Sequence, residues 1–155
     1  MTSRDSVVPA FVKTIAATAA SLLPDVTVAL GYQGNPNAGD YLWVHCEDPY
    51  QPDITPGSSS TQSWPGASRA VGREESGDIT CVVDSWNGEG DVTAAMDRAY
   101  AILAPVASWL RTTTHADLPP GLLHAAVTSI RPSLGLSGTD ARCTLVVGVH
   151  FEARI

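Results

Sequence analysis

The stretch near the C-terminus constrains the fold most. Cys143, Leu145, Val147, Val149 and Phe151 occupy every second position of 141–152. A period of two puts all five side chains on one face of an extended strand. One strand cannot bury such a face alone. It needs neighbours at its edges and a second layer packed on it.

Two amphipathic stretches can supply that layer. Over 6–23, Val8, Phe11, Val12, Ile15, Ala19 and Leu22 recur at three- and four-residue steps, which gathers them on one helix face. Asp5 or Ser6 can cap the start, Pro9 is tolerable in the first turn, and Pro24-Asp25 ends the run. A second helix is predicted from a cap at Asp91 to about residue 111, with Val92, Ala95, Met96, Ala99, Leu103, Val106 and Leu110 on its apolar face. Pro105 lies inside it and is expected to kink it, at about 3 kcal/mol for ideal geometry.

Further strands are predicted at 26–30, 41–46, 73–86 and 122–131. GYQGNPNAGD reads as a turn or hairpin loop between the first two. In 41–46, Leu42, Val44 and Cys46 share one face and Tyr41, Trp43 and His45 the other, so cover is expected on both. In 73–86, Ile79, Cys81 and Val83 alternate with Thr80, Val82 and Asp84, and the polar lead-in REESGD is expected to project beyond the sheet. Asn87 to Gly90 makes a turn, and a Gly/Ser/Pro linker is expected between 131 and 141. Together these elements predict an α+β architecture, a mixed, mostly antiparallel sheet with two main helices packed on it, in a single domain spanning 1–155.

The segment 47–73 breaks the pattern. It carries prolines, a Ser-Ser-Ser-Thr run and few large apolar residues apart from Tyr50, Ile54 and Trp64. No regular element is expected there. Its length and interspersed aromatics read as an arm that orders against a partner.

Composition narrows the classes of function. Nine basic residues against 16 acidic ones give a net charge of −7. With one lysine, Lys13, and scattered arginines, no basic patch exists to grip a phosphate backbone. The run from Val7 to Leu23 is interrupted by Lys13, Thr14, Thr18 and Ser21, which argues against both a signal peptide and a membrane span. Cys46, Cys81 and Cys143 each fall in a strand-like run and read as buried thiols in a reducing compartment, without metal-ligand spacing.

No catalytic, cofactor or metal site is predicted. Phosphate-cradling glycine motifs, a nucleophile elbow and HExxH are all missing, and His45, His115, His124 and His150 stand apart in sequence. Glu74-Glu75 with Asp78, and Glu89 with Asp91, read as solvent-exposed turn and capping groups.

Taken in order, LGYQGNPNAGD, YLWVHCEDP, SSSTQSWPGAS leading to REESGDITCVVDSWNGEGD, MDRAYAILAPVASWLR and ARCTLVVGVHFEARI resemble the tail terminator proteins of long-tailed, non-contractile phages, particularly those of actinobacterial phages. The resemblance covers nearly the whole chain. It implies an antiparallel sheet with helices on one side, and a virion structural protein without catalysis or cofactor. It further implies a homohexameric ring at the neck that caps the tail tube, ends its polymerisation and joins it to the head connector. The partners would be copies of the chain, the tail tube protein and the connector or stopper protein. DNA would pass through an acidic lumen without specific binding. A head–tail stopper or minor tail protein is the first alternative, and a small soluble α+β enzyme or ligand-binding domain the second. Candidate interface residues are Trp43, Tyr50, Trp64, Arg69, Arg73 and Glu75, chosen as large or charged groups in exposed-looking segments.

Overall fold

A computed structural model describes residues 5–32, 39–50, 56–64, 72–114 and 117–155, with the Ser137 side chain left aside. Helix α1 (Val8–Leu22) leads into β1 (Thr27–Leu30), β2 (Asp40–Val44), β3 (Ser58–Ser63) and β4 (Glu74–Asn87). Helix α2 (Val92–Thr112) then precedes β5 (Leu122–Ser137) and β6 (Asp140–Arg154). The strands form one sheet in the order β1-β2-β4-β6-β5, with β3 paired to β4 beside that path. All pairs are antiparallel except β1 with β2. The α+β expectation holds.

Both helices cover one face of the sheet. Phe11, Val12, Ile15 and Ala19 of α1 and Ala95, Ala99, Ile102, Leu103, Val106 and Leu110 of α2 are buried. They pack on Leu42, Val44, Ile79, Cys81 and Val83, and on the period-two set of β6 from Cys143 to Phe151. Phe11 meets Phe151 edge to face at 5.8 Å. Each fully buried side chain of this size contributes about 1.5–3 kcal/mol, so the interface between helices and sheet dominates the stability.

Local chemistry sets the helix ends. Asp91 accepts a hydrogen bond from the Ala94 amide, as its capping role requires. Helix α2 runs through Pro105 as one element. At α1 the Ser6 hydroxyl accepts from the Val8 amide at 3.1 Å, so Ser6 caps the first helical N–H, although Val7 stands at the cap position.

Several expectations are corrected. GYQGNPNAGD does not close a hairpin: β1 and β2 run parallel, Thr27 opposite Tyr41 and Leu30 opposite Val44. Gly31 turns away at φ 70° and donates its N–H to the Val44 carbonyl at 2.7 Å. Residues 33–38 of that stretch lie outside the described residues.

Part of 47–73 is a strand after all. β3 is Ser58–Ser63, paired along Glu74 to Ile79 of β4. The segment REESGD therefore does not project beyond the sheet. It has β3 on one side and β6 on the other.

The expected linker before the last strand is a continuation of β5, which pairs with β6 through Ser137 and Asp140. Gly138, at φ 66°, begins a two-residue turn between them. Pro132 lies on β5, the last strand in the order, where a proline is tolerated in a sheet.

Candidate functional site

The face of the sheet away from the helices carries a second, smaller apolar cluster: Trp43, Cys46, Val82 and Val146, with Ala29 and Tyr41 against it. Both faces of β2 are thus covered, as the bulky alternation implied. Cys46 is on this face, and not with Leu42 and Val44 as period two predicts. His45 adopts φ 60°, which breaks the alternation directly before it. The Cys46 thiol then donates toward the Trp43 carbonyl at 3.7 Å.

A hollow of about 610 Å³ opens over this cluster, lined by aromatic, acidic and sulfur-bearing groups. Trp43 is stacked on Tyr41 at 5.1 Å and meets Tyr32 edge to face at 5.6 Å. Tyr50 reaches in from the 47–50 turn, where its hydroxyl donates to Thr144 Oγ1 at 3.4 Å.

The carboxylates of the hollow are held by the fold. Asp84 accepts two hydrogen bonds from Arg142, at 2.8 and 2.6 Å, and one from Thr144 at 3.2 Å. The Asp84 hydrogen bonds hold the Arg142 guanidinium above its ordinary pKa, against the effect of burial. Arg142 also lies 4.8 Å over the Trp86 ring. The Asp48 carboxylate accepts from the Tyr50 amide at 2.8 Å and from Arg131 of β5 at 2.6 Å. These bonds fasten the 47–50 turn across the sheet.

The Cys46 thiol that lines the hollow is not an activated nucleophile, and Cys81 lies in the core on the other face of the sheet. Burial pushes the thiols of Cys46 and Cys81 up to about 12, so both stay protonated at neutral pH. The three cysteines are free and buried. Among the described residues, no group of three His, Cys, Asp or Glu side chains is placed to hold a metal ion. No helix among them is long and apolar enough to cross a membrane.

The sequence-chosen residues fall into two places. Trp43 and Tyr50 both line the hollow, but Trp43 is only 4% exposed, whereas Tyr50 is 56% exposed. Trp64, Arg73 and Glu75 lie together where β3 ends beside the start of β4. Arg73 sits 5.8 Å over the Trp64 ring and donates to Gln62 at 2.9 Å. Trp64 is 56% exposed. Arg69 lies outside the described residues.

Glu75 corrects the reading of its carboxylate as solvent-exposed. It is 1% exposed and accepts from Ser6 Oγ at 2.6 Å, the Val7 amide at 2.8 Å and Ser60 Oγ at 2.9 Å. Burial pushes its carboxyl up, but hydrogen bonds from Ser6, Val7, Ser60 and Gln62 outweigh that and hold it below its ordinary value. It accepts from the amide of Val7, the residue that caps α1, and from Ser6, whose Oγ in turn accepts from the first amide of α1, that of Val8, at 3.1 Å.

One surface was missed in the sequence. The outer edge of β5 pairs with no strand among the described residues, and Ile130, Leu134 and Leu136 along it are exposed. By register Leu134 and Leu136 share the face of Cys143 and Ala141, yet they are 49% and 67% exposed. The signal was present in RPSLGLS, an alternating apolar run that its Pro, Gly and Ser content disguised as a linker.

No protein-family model matches the sequence, and no curated protein matches it. A chain in a solved structure described as the virion of a native gene transfer agent particle has a similar fold. The TM-score is 0.52 at 19% identity, over 97% of this chain and 100% of that one.

Proposed function

We propose that this chain is a virion structural protein, a tail terminator whose copies form a ring that caps the tail tube, ends its growth and joins it to the head connector. The observation that carries the reading is the full-length likeness of its fold to a chain of a virion particle, with nearly nothing left over on either side. The order of sequence segments supports the same assignment.

The surfaces suit it. A ring requires two unlike patches on each subunit, meeting head to tail. The β5 edge offers a ladder unpaired among the described residues and the apolar row Ile130, Leu134 and Leu136. Beyond the opposite side of β4, the end of β3 offers Trp64 with Arg73. Trp64 and Arg73 are therefore the proposed ring contacts from the sequence set, with Arg69 beside them in the chain. The net charge of −7 would let DNA slide through a lumen without sticking.

Negative-stain imaging of the purified chain, alone and with tail tubes, tests this. Rings that sit on tube ends and stop their growth are the expected result. A chain that stays monomeric under both conditions would overturn the ring. Labelled microscopy of whole particles separates a tail terminator from a stopper, since label between stopper and portal places the chain elsewhere in the neck.

A further inference from the structure

The helix layer stops short of β5. Ala141, Cys143 and Val147 of β6 are buried in the core that the helices cover. In register beside them, Leu136, Leu134 and Ile130 of β5 face the same side, and all three are exposed. Arg131 belongs to the other face, where it donates to Asp48. The row is therefore apolar and uncharged over its length. On an otherwise acidic chain, such a row marks a contact surface that lacks its second layer.

The chain carries a matching surface at the opposite end of the strand order, on β1. Leu30 pairs with Val44, Val44 with Cys81, Cys81 with Val147 and Val147 with Ile130. Leu30 and Ile130 thus stand at one level on the two sides of the sheet. Both face the helix side, as Val44 and Val147 do. By the same pairings Thr27 is level with Ser133. Direction matches too. β1 runs with β2, and the three steps from β2 to β4, β6 and β5 each reverse the chain, so β1 is antiparallel to β5. Helix α1 ends at Leu22, and a turn closed by the Val26 amide on the Leu23 carbonyl at 3.1 Å leads straight into β1. Leu22 and Leu30 are both exposed, and neither adds charge.

We propose that the β5 row of one copy is covered by the α1–β1 edge of a second copy. Sheet edge meets sheet edge antiparallel, helix side matches helix side, and the α1 of the second copy supplies the layer that β5 lacks. Level, direction, face and the absence of charge all agree in this arrangement, and two acidic molecules can approach there without repulsion. The contact is between unlike patches, so it is head to tail. The inference deepens the ring reading and rests on it for that geometry. Trp64 and Arg73 lie on the β1 side of β4, near its start, because β3 and β2 share one edge of that strand. They extend the contact toward the other end of the strands.

Thiol coupling of the full-length chain tests it. Leu30→Cys and Ile130→Cys are made separately and treated with a short bis-maleimide. The natural cysteines are buried, so the unmodified chain is expected to stay uncoupled. Each variant alone is also expected to stay uncoupled, while their mixture gives a covalent dimer and the double variant a ladder of larger species. Leu134→Asp places a charge on the row and is expected to raise the concentration needed for self-association by at least about ten-fold, with the melting temperature kept within about 2 °C. Coupling within either single variant would mean that like edges meet, and would overturn the proposal. Self-association of Leu134→Asp equal to that of the unmodified chain would overturn it as well. If the unmodified chain forms rings but the mixture does not couple, this contact is wrong and the ring stands. If the mixture couples but only open chains are seen, the contact stands and the ring reading falls. A chain that is monomeric throughout overturns both.

Discussion

Arg142 clasps Asp84 with both ends of one guanidinium edge, Nε to Oδ1 at 2.8 Å and Nη2 to Oδ2 at 2.6 Å. In register Asp84 faces Thr144 and Arg142 faces Trp86, so the pair runs diagonally across β4 and β6. The two partners differ in their access to water: the Asp84 side chain is 1% exposed and that of Arg142 34%.

That asymmetry predicts unequal losses. Arg142→Ala strands a buried carboxylate and is expected to cost about 3–5 kcal/mol. Asp84→Ala leaves an arginine that can turn toward solvent, and about 1–2 kcal/mol is expected. Urea unfolding of the two variants measures both, and equal losses would contradict the burial argument.

Glu75 makes folding pH-dependent, in a direction fixed by its lowered pKa. The folded state holds the proton less readily than the unfolded chain, whose ordinary value is 4.5. Its stabilisation is therefore complete above that value and is lost as pH falls through the lower, folded one. Glu75→Gln is expected to be less stable by roughly 1–3 kcal/mol at neutral pH. It should also lack the part of the acid-induced decline that this carboxyl supplies. Thermal melts of both proteins from pH 7 down to 3 test it, and parallel curves would refute the assignment.

The close approach of β3 depends on Gly77. A Cβ added there would sit 2.1 Å from the Ser59 carbonyl oxygen and 2.7 Å from the Ser60 Cα, backbone atoms that cannot swing aside. Gly77→Ala is expected to detach β3, at a cost of about 1–3 kcal/mol. Hydrogen exchange should then lose protection over Ser58–Ser63 while β6 keeps its own. Retained protection in β3 would show that the strand can slide to accommodate the methyl.

Trp64 lies under the Arg73 guanidinium and is more than half exposed, so its removal should spare the fold. Trp64→Ala is expected to keep the melting temperature within about 2 °C. Its rings should form only at higher protein concentration. Sedimentation of the variant beside the unmodified chain reads this directly, and identical assembly would remove Trp64 from the proposed contact.

Much of the architecture was legible because hydrophobic period follows from local geometry. The apolar face of β6 and the capping of α2 by Asp91 were recoverable residue by residue. Within the candidate site, Tyr50 and Trp43 were identifiable as large aromatics, but their joint lining of one hollow was not.

What the chain alone determined was which residues must be inside: periods of two and of 3.6 name the buried faces whatever the partners turn out to be. Tertiary structure decided the rest, because backbone pairing carries little side-chain signature. Ser58–Ser63 pairs as a strand where Gly77 lets it approach β4 and Glu75 accepts the Ser60 hydroxyl. Likewise, Cys46 changes face only because one residue, His45, takes a positive φ. The first depends on atoms far apart in sequence meeting in space, and the second on a backbone turn at one residue, neither of which hydrophobic period encodes.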